Sequence, residues 1–220
     1  MKSSAPFVIV ALVAALAIGG GAYFYRIRRA ANPPLETSKE VAEGIKESGH
    51  VLGPPGAILT LEEYGDFQCP PCGKLSEPIN QLQKQYNLRV IFREFPLAMH
   101  AHAREAASAA EAAGLQGKFW EMHDLLFREQ AVWSNSNDVR TLFSAYAGMV
   151  GLDVARFNRD MDGSEVQQQV DLDQQRGAFI GVRTTPTILL NNQAVPADQL
   201  RPDTFPAAVE AALKSAQPTS

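Results

Sequence analysis

The sequence predicts an α/β fold in which an all-helical insertion interrupts the sheet. Three observations predict it. Residues 57–92 read as one strand–helix–strand unit, residues from about 98 to 181 carry helical periodicity, and two short strands with a closing helix follow at 187–215. The 220 residues suit one such domain plus an appendage, and 45% hydrophobic residues can fill its core. No internal repeat or low-complexity tract breaks this order.

The appendage comes first. Residues 6–25 carry no charge, and about twenty residues of helix span ~30 Å of hydrocarbon. Tyr23, Phe24 and Tyr25 stand where an interfacial aromatic belt would lie. Residues 1–30 therefore read as one N-terminal transmembrane or signal-anchor helix. A cleaved signal peptide ending near Ala15-Leu16-Ala17 is the competing reading, with a shorter apolar core of roughly 7–15 residues. Arg26, Arg28 and Arg29 follow the span, against Lys2 before it, which favours a cytoplasmic C-terminal side. Residues 31–50 are polar, broken at Asn32-Pro33-Pro34, and read as a linker to a domain at 51–216.

Charge and cysteine count exclude several classes. The chain has a net charge of −4 and a pI near 5.6. The first thirty residues hold four basic and no acidic residues, so the remainder carries 16 basic against 24 acidic residues, a net of −8. No basic patch is interleaved with aromatics, which argues against nucleic acid as a partner. Two Cys in a chain of this length are not a disulfide-rich scaffold.

Each element has a local reason. Residues 57–64 (AILTLEEY) are rich in β-formers, and Asp66-Phe67-Gln68-Cys69 follows as a loop. Pro70 suits the first position of a helix. Leu75, Ile79, Leu82 and Tyr86 then recur at helical spacing, with a kink expected at Pro78. Residues 88–92 (LRVIF) form the second strand, and a strand–helix–strand unit implies a right-handed crossover and a parallel pair. The insertion reads as helices at 101–113, 119–128, 139–149, 154–161 and 165–179. Residues 187–190 and 193–195 are short strands joined by a tight turn at Asn191-Asn192. Residues 206–215 close the domain as a helix. His123, Trp120 and Trp133 read as packed residues, Trp133 alternatively as part of a substrate surface.

Cys69-Pro70-Pro71-Cys72 falls at the first strand-to-helix junction. Helical residues three apart stand about 5–6 Å from each other, within disulfide reach. Cys69 would occupy the N-cap, where free N–H groups and the helix dipole favour a thiolate, the reactive form. Cys72, one turn further in, would resolve a mixed disulfide. Two other uses fit less well. A structural bridge closing four residues stabilises by roughly 2 kcal/mol, against ~4.7 for a hundred-residue loop. A zinc site needs four ligands, and His100 and His102 lie far along the chain.

A second motif lies at 181–187 (GVRTTPT), where Pro186 precedes a strand as a cis proline does. With EEYGDFQCPPC at 62–72 and QGKFWEMHDLLF at 116–127, the chain resembles the DsbA-like branch of the thioredoxin superfamily over roughly residues 51–215. The resemblance implies a thioredoxin fold with a helical insertion and dithiol–disulfide exchange, with no organic cofactor and no metal. It makes Cys69 the attacking cysteine, Cys72 its resolving partner and Pro186 the cis proline beside them. Thr185 would offer its backbone to an extended substrate. Glu63 matches a buried acid that exchanges protons with Cys72. Glu62 and Asp66 compete for that role, but alternation puts Glu62 on the opposite face and Asp66 suits the start of a turn. Pro71 departs from many relatives. It brings no N–H and no imidazolium, so Cys69 is expected to be less acidic than in strongly oxidising relatives.

The resulting expectation is a membrane-tethered thiol–disulfide oxidoreductase that introduces disulfides into exported proteins. Its partners would be reduced or unfolded exported proteins and a membrane quinone-linked reoxidising protein. Its place would be extracytoplasmic, against the direction of the flanking arginines. A reductase or isomerase, and a peptide-binding or chaperone module on the same fold, are the alternatives. Isomerases of this kind dimerise through an added domain, for which residues 31–50 are too short.

Overall fold

The computed structural model describes residues 49–216. The expected anchor at 1–30 and nearly all of the linker lie outside the described residues. Among the described residues, no helix is long and apolar enough to cross a membrane. One mixed sheet is built from β1 (His50–Leu52), β2 (Thr60–Gly65), β3 (Arg89–Glu94), β4 (Thr187–Leu190) and β5 (Gln193–Ala194), in the order β1-β3-β2-β4-β5. β2 and β3 pair in parallel, as their helical connection demands, and the remaining pairs are antiparallel.

α1 (Pro70–Tyr86) makes that connection and runs through Pro78 as one element. The insertion between β3 and β4 holds α2 (Ala103–Gly114), α3 (Phe119–Arg128), α4 (Gln130–Trp133), α5 (Val139–Met149), α6 (Val154–Asp160) and α7 (Ser164–Phe179). A 3-10 turn at Ala197–Gln199 leads to α8 (Phe205–Ala216). This is a thioredoxin-like α/β fold with the helical block where the periodicity placed it.

Strand alternation sorts the two faces of the sheet. Leu61, Val90, Ile188 and Leu190 share a face with Leu75, Ile79 and Leu82 of α1 and with Phe205 and Val209 of α8. Each buried Leu or Ile there contributes ~1.5–3 kcal/mol. Phe92 is on that same face, and from it a second cluster joins Phe67, Cys69 and Cys72 to the insertion through Phe119, Met122, Leu126, Phe127 and Trp133. His123 sits fully packed in that cluster, and Trp133 donates its indole N–H to Leu126 O at 2.7 Å. The two cysteines thus lie where sheet, α1 and insertion meet.

Several boundaries differ from the expectation. His50, expected in the linker, belongs to β1 and pairs with Phe92. A three-residue strand whose partner lies forty residues away leaves no periodicity to read. β2 starts at Thr60 instead of 57, because the turn at Pro54 (Ala57 N to Pro54 O, 3.2 Å) uses the preceding residues. α4 follows α3 after Glu129 and had no separate signal. The Asn191-Asn192 turn is as expected: both residues have positive φ (45° and 65°), the mirror-image hairpin turn that Asn tolerates.

Candidate active site

β2 delivers the chain to the site. Asp66 turns it: Cys69 N donates to Asp66 O at 3.0 Å and Gln68 N to Asp66 Oδ1 at 2.7 Å. Cys69 is the N-cap of α1 in an extended conformation, and Pro70 and Pro71 open the helix exposed to solvent. Two N–H groups are absent from that first turn, but Gly73 N donates to Cys69 O at 3.2 Å. Both thiols are free. Cys69 retains 4% exposure and Cys72 none, which orders them as entry and interior sulfur.

Their acidities diverge. The Cys69 thiol is lowered to about 6, chiefly by a hydrogen bond from the Cys72 thiol. The Thr185 side chain and the Cys72 backbone N–H help, while burial and the Asp66 charge oppose. Cys72 is held well above the usual thiol range by burial first, then by its bond to Cys69 and the charge of Glu63. Cys69 thus ionises more readily than an ordinary thiol, while Cys72 holds its proton more tightly.

The loop before β4 closes over this pair. Thr185–Pro186 is a cis peptide bond. The Cys69 thiol donates to Thr185 O at 3.3 Å. The Thr185 hydroxyl oxygen is buried and, among the described residues, has no partner beside the neutral thiol, so it can donate once Cys69 ionises. Cys69, Cys72, Thr185 and Pro186, separated by up to 117 positions, form one site.

The three acids separate clearly. Glu63 is buried among the active-site elements, its Oε1 without a partner, and burial plus the Cys69 charge raise it to about 8. Glu62 faces the other side of the sheet and is bound by Arg93 Nε, by the Tyr64 hydroxyl at 3.1 Å and by Arg176 at 3.5 Å. Asp66 is taken by Gln68 N, by Leu97 N at 2.9 Å and by His100 Nδ1 at 2.7 Å. Glu63 is the acid of the three with spare hydrogen-bonding capacity.

The family model for thioredoxin matches residues 46–211. The chain belongs to the thioredoxin family. Among solved thioredoxin-like structures, a thioredoxin-like oxidoreductase from Silicibacter pomeroyi superposes with a TM-score of 0.63 at 28% identity, covering 77% of this chain and 94% of that one. BdbD from Bacillus subtilis in its oxidised form gives 0.66 at 24% identity, over 76% of this chain and 94% of its own. The thiol-disulfide exchange protein alpha-DsbA2 from Wolbachia pipientis gives 0.67 at 16%, over 81% and 91%. The last two show the fold alone. A curated relative from Mycolicibacterium gilvum, named as a Na(+)/H(+) antiporter, is 35% identical over 192 residues, covering 84% of this chain and 30% of the relative. The chain thus spans under a third of the curated relatives it matches.

Within this thioredoxin domain, two glutamines that sequence reasoning passed over hold the active-site turn. Gln130 of α4 donates through Nε2 to Phe67 O at 2.6 Å and Cys69 O at 2.9 Å. Gln68 accepts from His102 N at 2.6 Å and donates to Ser134 O at 3.1 Å. The insertion therefore clamps the loop that the sheet presents. No local pattern marks a residue whose partners are backbone carbonyls sixty positions away. His100 pairs with Asp66 and His102 with Glu105, and among the described residues the cysteines gather with neither as a metal-ligand cluster.

Proposed function

We propose that this domain is a thiol–disulfide oxidoreductase that acts as a dithiol oxidase on exported proteins. The unequal acidity of Cys69 and Cys72 beside a cis proline carries this reading. In the oxidised protein, a substrate thiolate attacks Cys69 Sγ and breaks its bond to Cys72. Cys72 leaves as a thiolate and takes a proton, for which protonated Glu63 is the nearby donor. A second substrate thiolate then attacks the substrate sulfur of the mixed disulfide and releases Cys69. The substrate gains a disulfide and loses two electrons, which remain on the dithiol. An acidic Cys69 is a good leaving group in that last step, and this favours oxidation of the substrate.

Extended substrate would lie along the loop at Thr185, its N–H taking the carbonyl that Cys69 vacates on ionising. The anchor at residues 1–30 would hold the domain at the outer face of the membrane. A quinone-linked membrane protein would there reoxidise it. Acid trapping and thiol labelling in cells tests the direction. A pair found mostly oxidised supports the oxidase, and a mostly reduced pair makes the protein a reductase or isomerase. Cys69→Ser should abolish oxidative refolding of a reduced client. Client protection that survives as the main activity would mean a binding module instead. An alkaline phosphatase fusion to the C-terminus should be active; an inactive one would place the domain in the cytosol.

A further inference from the structure

At the β1 edge of the sheet three side chains converge: His50, Glu94 and Glu111. Glu94 ends β3 with 1% exposure; among the described residues no donor group reaches its carboxylate oxygens, and the groups within hydrogen-bond reach of them are the carboxylates of Glu111 and Asp173. Glu111 of α2 is 5% exposed, and its Oε1 is likewise unpartnered. His50 of β1 approaches Glu111 Oε2 through Nε2 at 3.0 Å. Donor atoms of the three all lie within 4.8 Å of one another. Two ligands ~2.1 Å from a shared ion stand at most ~4.2 Å apart, so small side-chain rotations bring this set onto one ion.

The surroundings support a site rather than an accident of packing. The His50 ring stacks on Phe119 with centroids 3.4 Å apart and planes 7° from parallel. A side chain at position 114 would press on it: a Cβ on Gly114 would lie 2.9 Å from His50 Cε1. The imidazole is thus held in place, as a preorganised ligand must be. Asp173 closes the inner side, where it accepts from Arg93 Nη1 at 3.0 Å and Glu94 N at 3.3 Å and also stands beside the Glu94 carboxylate. On the outer side a cavity of about 200 Å³, lined among the described residues by Gly49, His50, Glu111, Leu115, Glu165 and Gln169, leads to solvent. It gives an ion a path in and room for water ligands.

Two carboxylates gathered in a buried space cost several kcal/mol unless neutralised. Either a proton or a cation must supply the charge. We propose that His50, Glu94 and Glu111 bind one divalent transition-metal ion of the Zn²⁺ class, tying the helical insertion to the sheet through β1, β3 and α2. The imidazole selects this class over Ca²⁺ or Mg²⁺, which take oxygen ligands.

The test uses the full-length chain with Cys69 and Cys72 oxidised, so that thiolates do not compete. Calorimetric titration with Zn²⁺ should show one ion per chain. Glu111→Gln should weaken binding by ~10–100-fold, and His50→Ala by a similar factor. Zn²⁺ should raise the melting temperature of the parent chain, reversed by chelator, and leave that of Glu111→Gln unchanged. Metal-free melting and Cys69 alkylation of each variant report that it is folded. No saturable binding would mean that a proton neutralises the cluster and the site is not a metal site. Binding that survives both variants, or tighter binding of Ca²⁺ than of Zn²⁺, also overturns the proposal.

Discussion

The Cys69 thiol and the Thr185 carbonyl oxygen stand 3.3 Å apart, although 116 positions separate them in the chain. The contact joins the helix that makes Cys69 acidic to the loop that would receive a substrate strand. It also couples two states. A neutral thiol occupies the carbonyl, whereas a thiolate releases it and attracts the Thr185 hydroxyl, which is buried and, among the described residues, has no partner.

Alkylation of Cys69 by iodoacetamide should therefore follow a titration with a midpoint of about 6. Only the thiolate reacts, so the rate rises as pH passes upward through that value. Thr185→Val keeps the shape but removes the hydroxyl donor, and the midpoint should move up. An unchanged midpoint would show that Cys72 and the helix supply the whole effect. A midpoint of about 6 falls between ~3.5 for DsbA and ~7 for thioredoxin. The reduction potential should accordingly lie between ~−120 and ~−270 mV, and equilibration with glutathione measures it.

Glu63 gives a prediction with two readouts. Its carboxyl is raised from 4.5 to about 8 in the folded protein. It therefore costs no stability below the unfolded value, costs more as pH rises from there, and reaches its full cost above about 8. Glu63→Gln removes a penalty on the order of a few kcal/mol at pH 8 and almost nothing at pH 4. Urea titrations of the reduced protein at both values should show stabilisation confined to the higher pH. Turnover should fall by at least ~10-fold near pH 7, where protonated Glu63 is needed for the leaving Cys72. A stabilised variant with undiminished turnover would leave Glu63 as a buried acid without a catalytic part.

What was legible in the sequence was what is local. Cys69, Cys72 and the strand-to-helix junction lie within a few residues, and β4 emerges with the bounds that TILL suggested. Alternation separated Glu63 from Glu62 because each strand residue must choose a face. Alternation did not show that both would be buried, since that depends on helices covering both faces. Gln130 and His50 acquire their meaning from segments about sixty positions away, and Glu94 from Glu111 and Asp173 on two different helices; which helix the insertion lays against which strand decides all three. Composition and spacing carry no trace of that.

Gln130→Ala should loosen the active-site turn. The substitution leaves Phe67 O and Cys69 O without their side-chain donor in a half-buried place. Loss of those bonds should cost ~1–3 kcal/mol by chemical denaturation. The functional effect should exceed what lost stability explains, because the same carbonyl of Cys69 belongs to the first turn of α1. Cys69 alkylation should change in rate at a fixed pH while the variant is still fully folded. A stability loss with unaltered Cys69 reactivity would make Gln130 a staple of the insertion alone.

The last prediction concerns the opposite face of the sheet. Arg93, 3% exposed, donates to Glu62 Oε1 and to Asp173 Oδ1, joining β2 and β3 to α7 through buried charge. Removing the cation strands both carboxylates, although Arg176 remains within 3.5 Å of Glu62. Arg93→Met keeps most of the volume and should lower stability by ~3–5 kcal/mol in urea at pH 7. The loss should shrink as pH falls and the stranded carboxylates take up protons, since neutral acids need no counter-ion. Arg93→Lys retains the charge but not the fork that spans two carboxylates, so it should fall between parent and Met variant. A Met variant equally destabilised at every pH would point to lost packing around position 93, and the charge network would then contribute little to the fold.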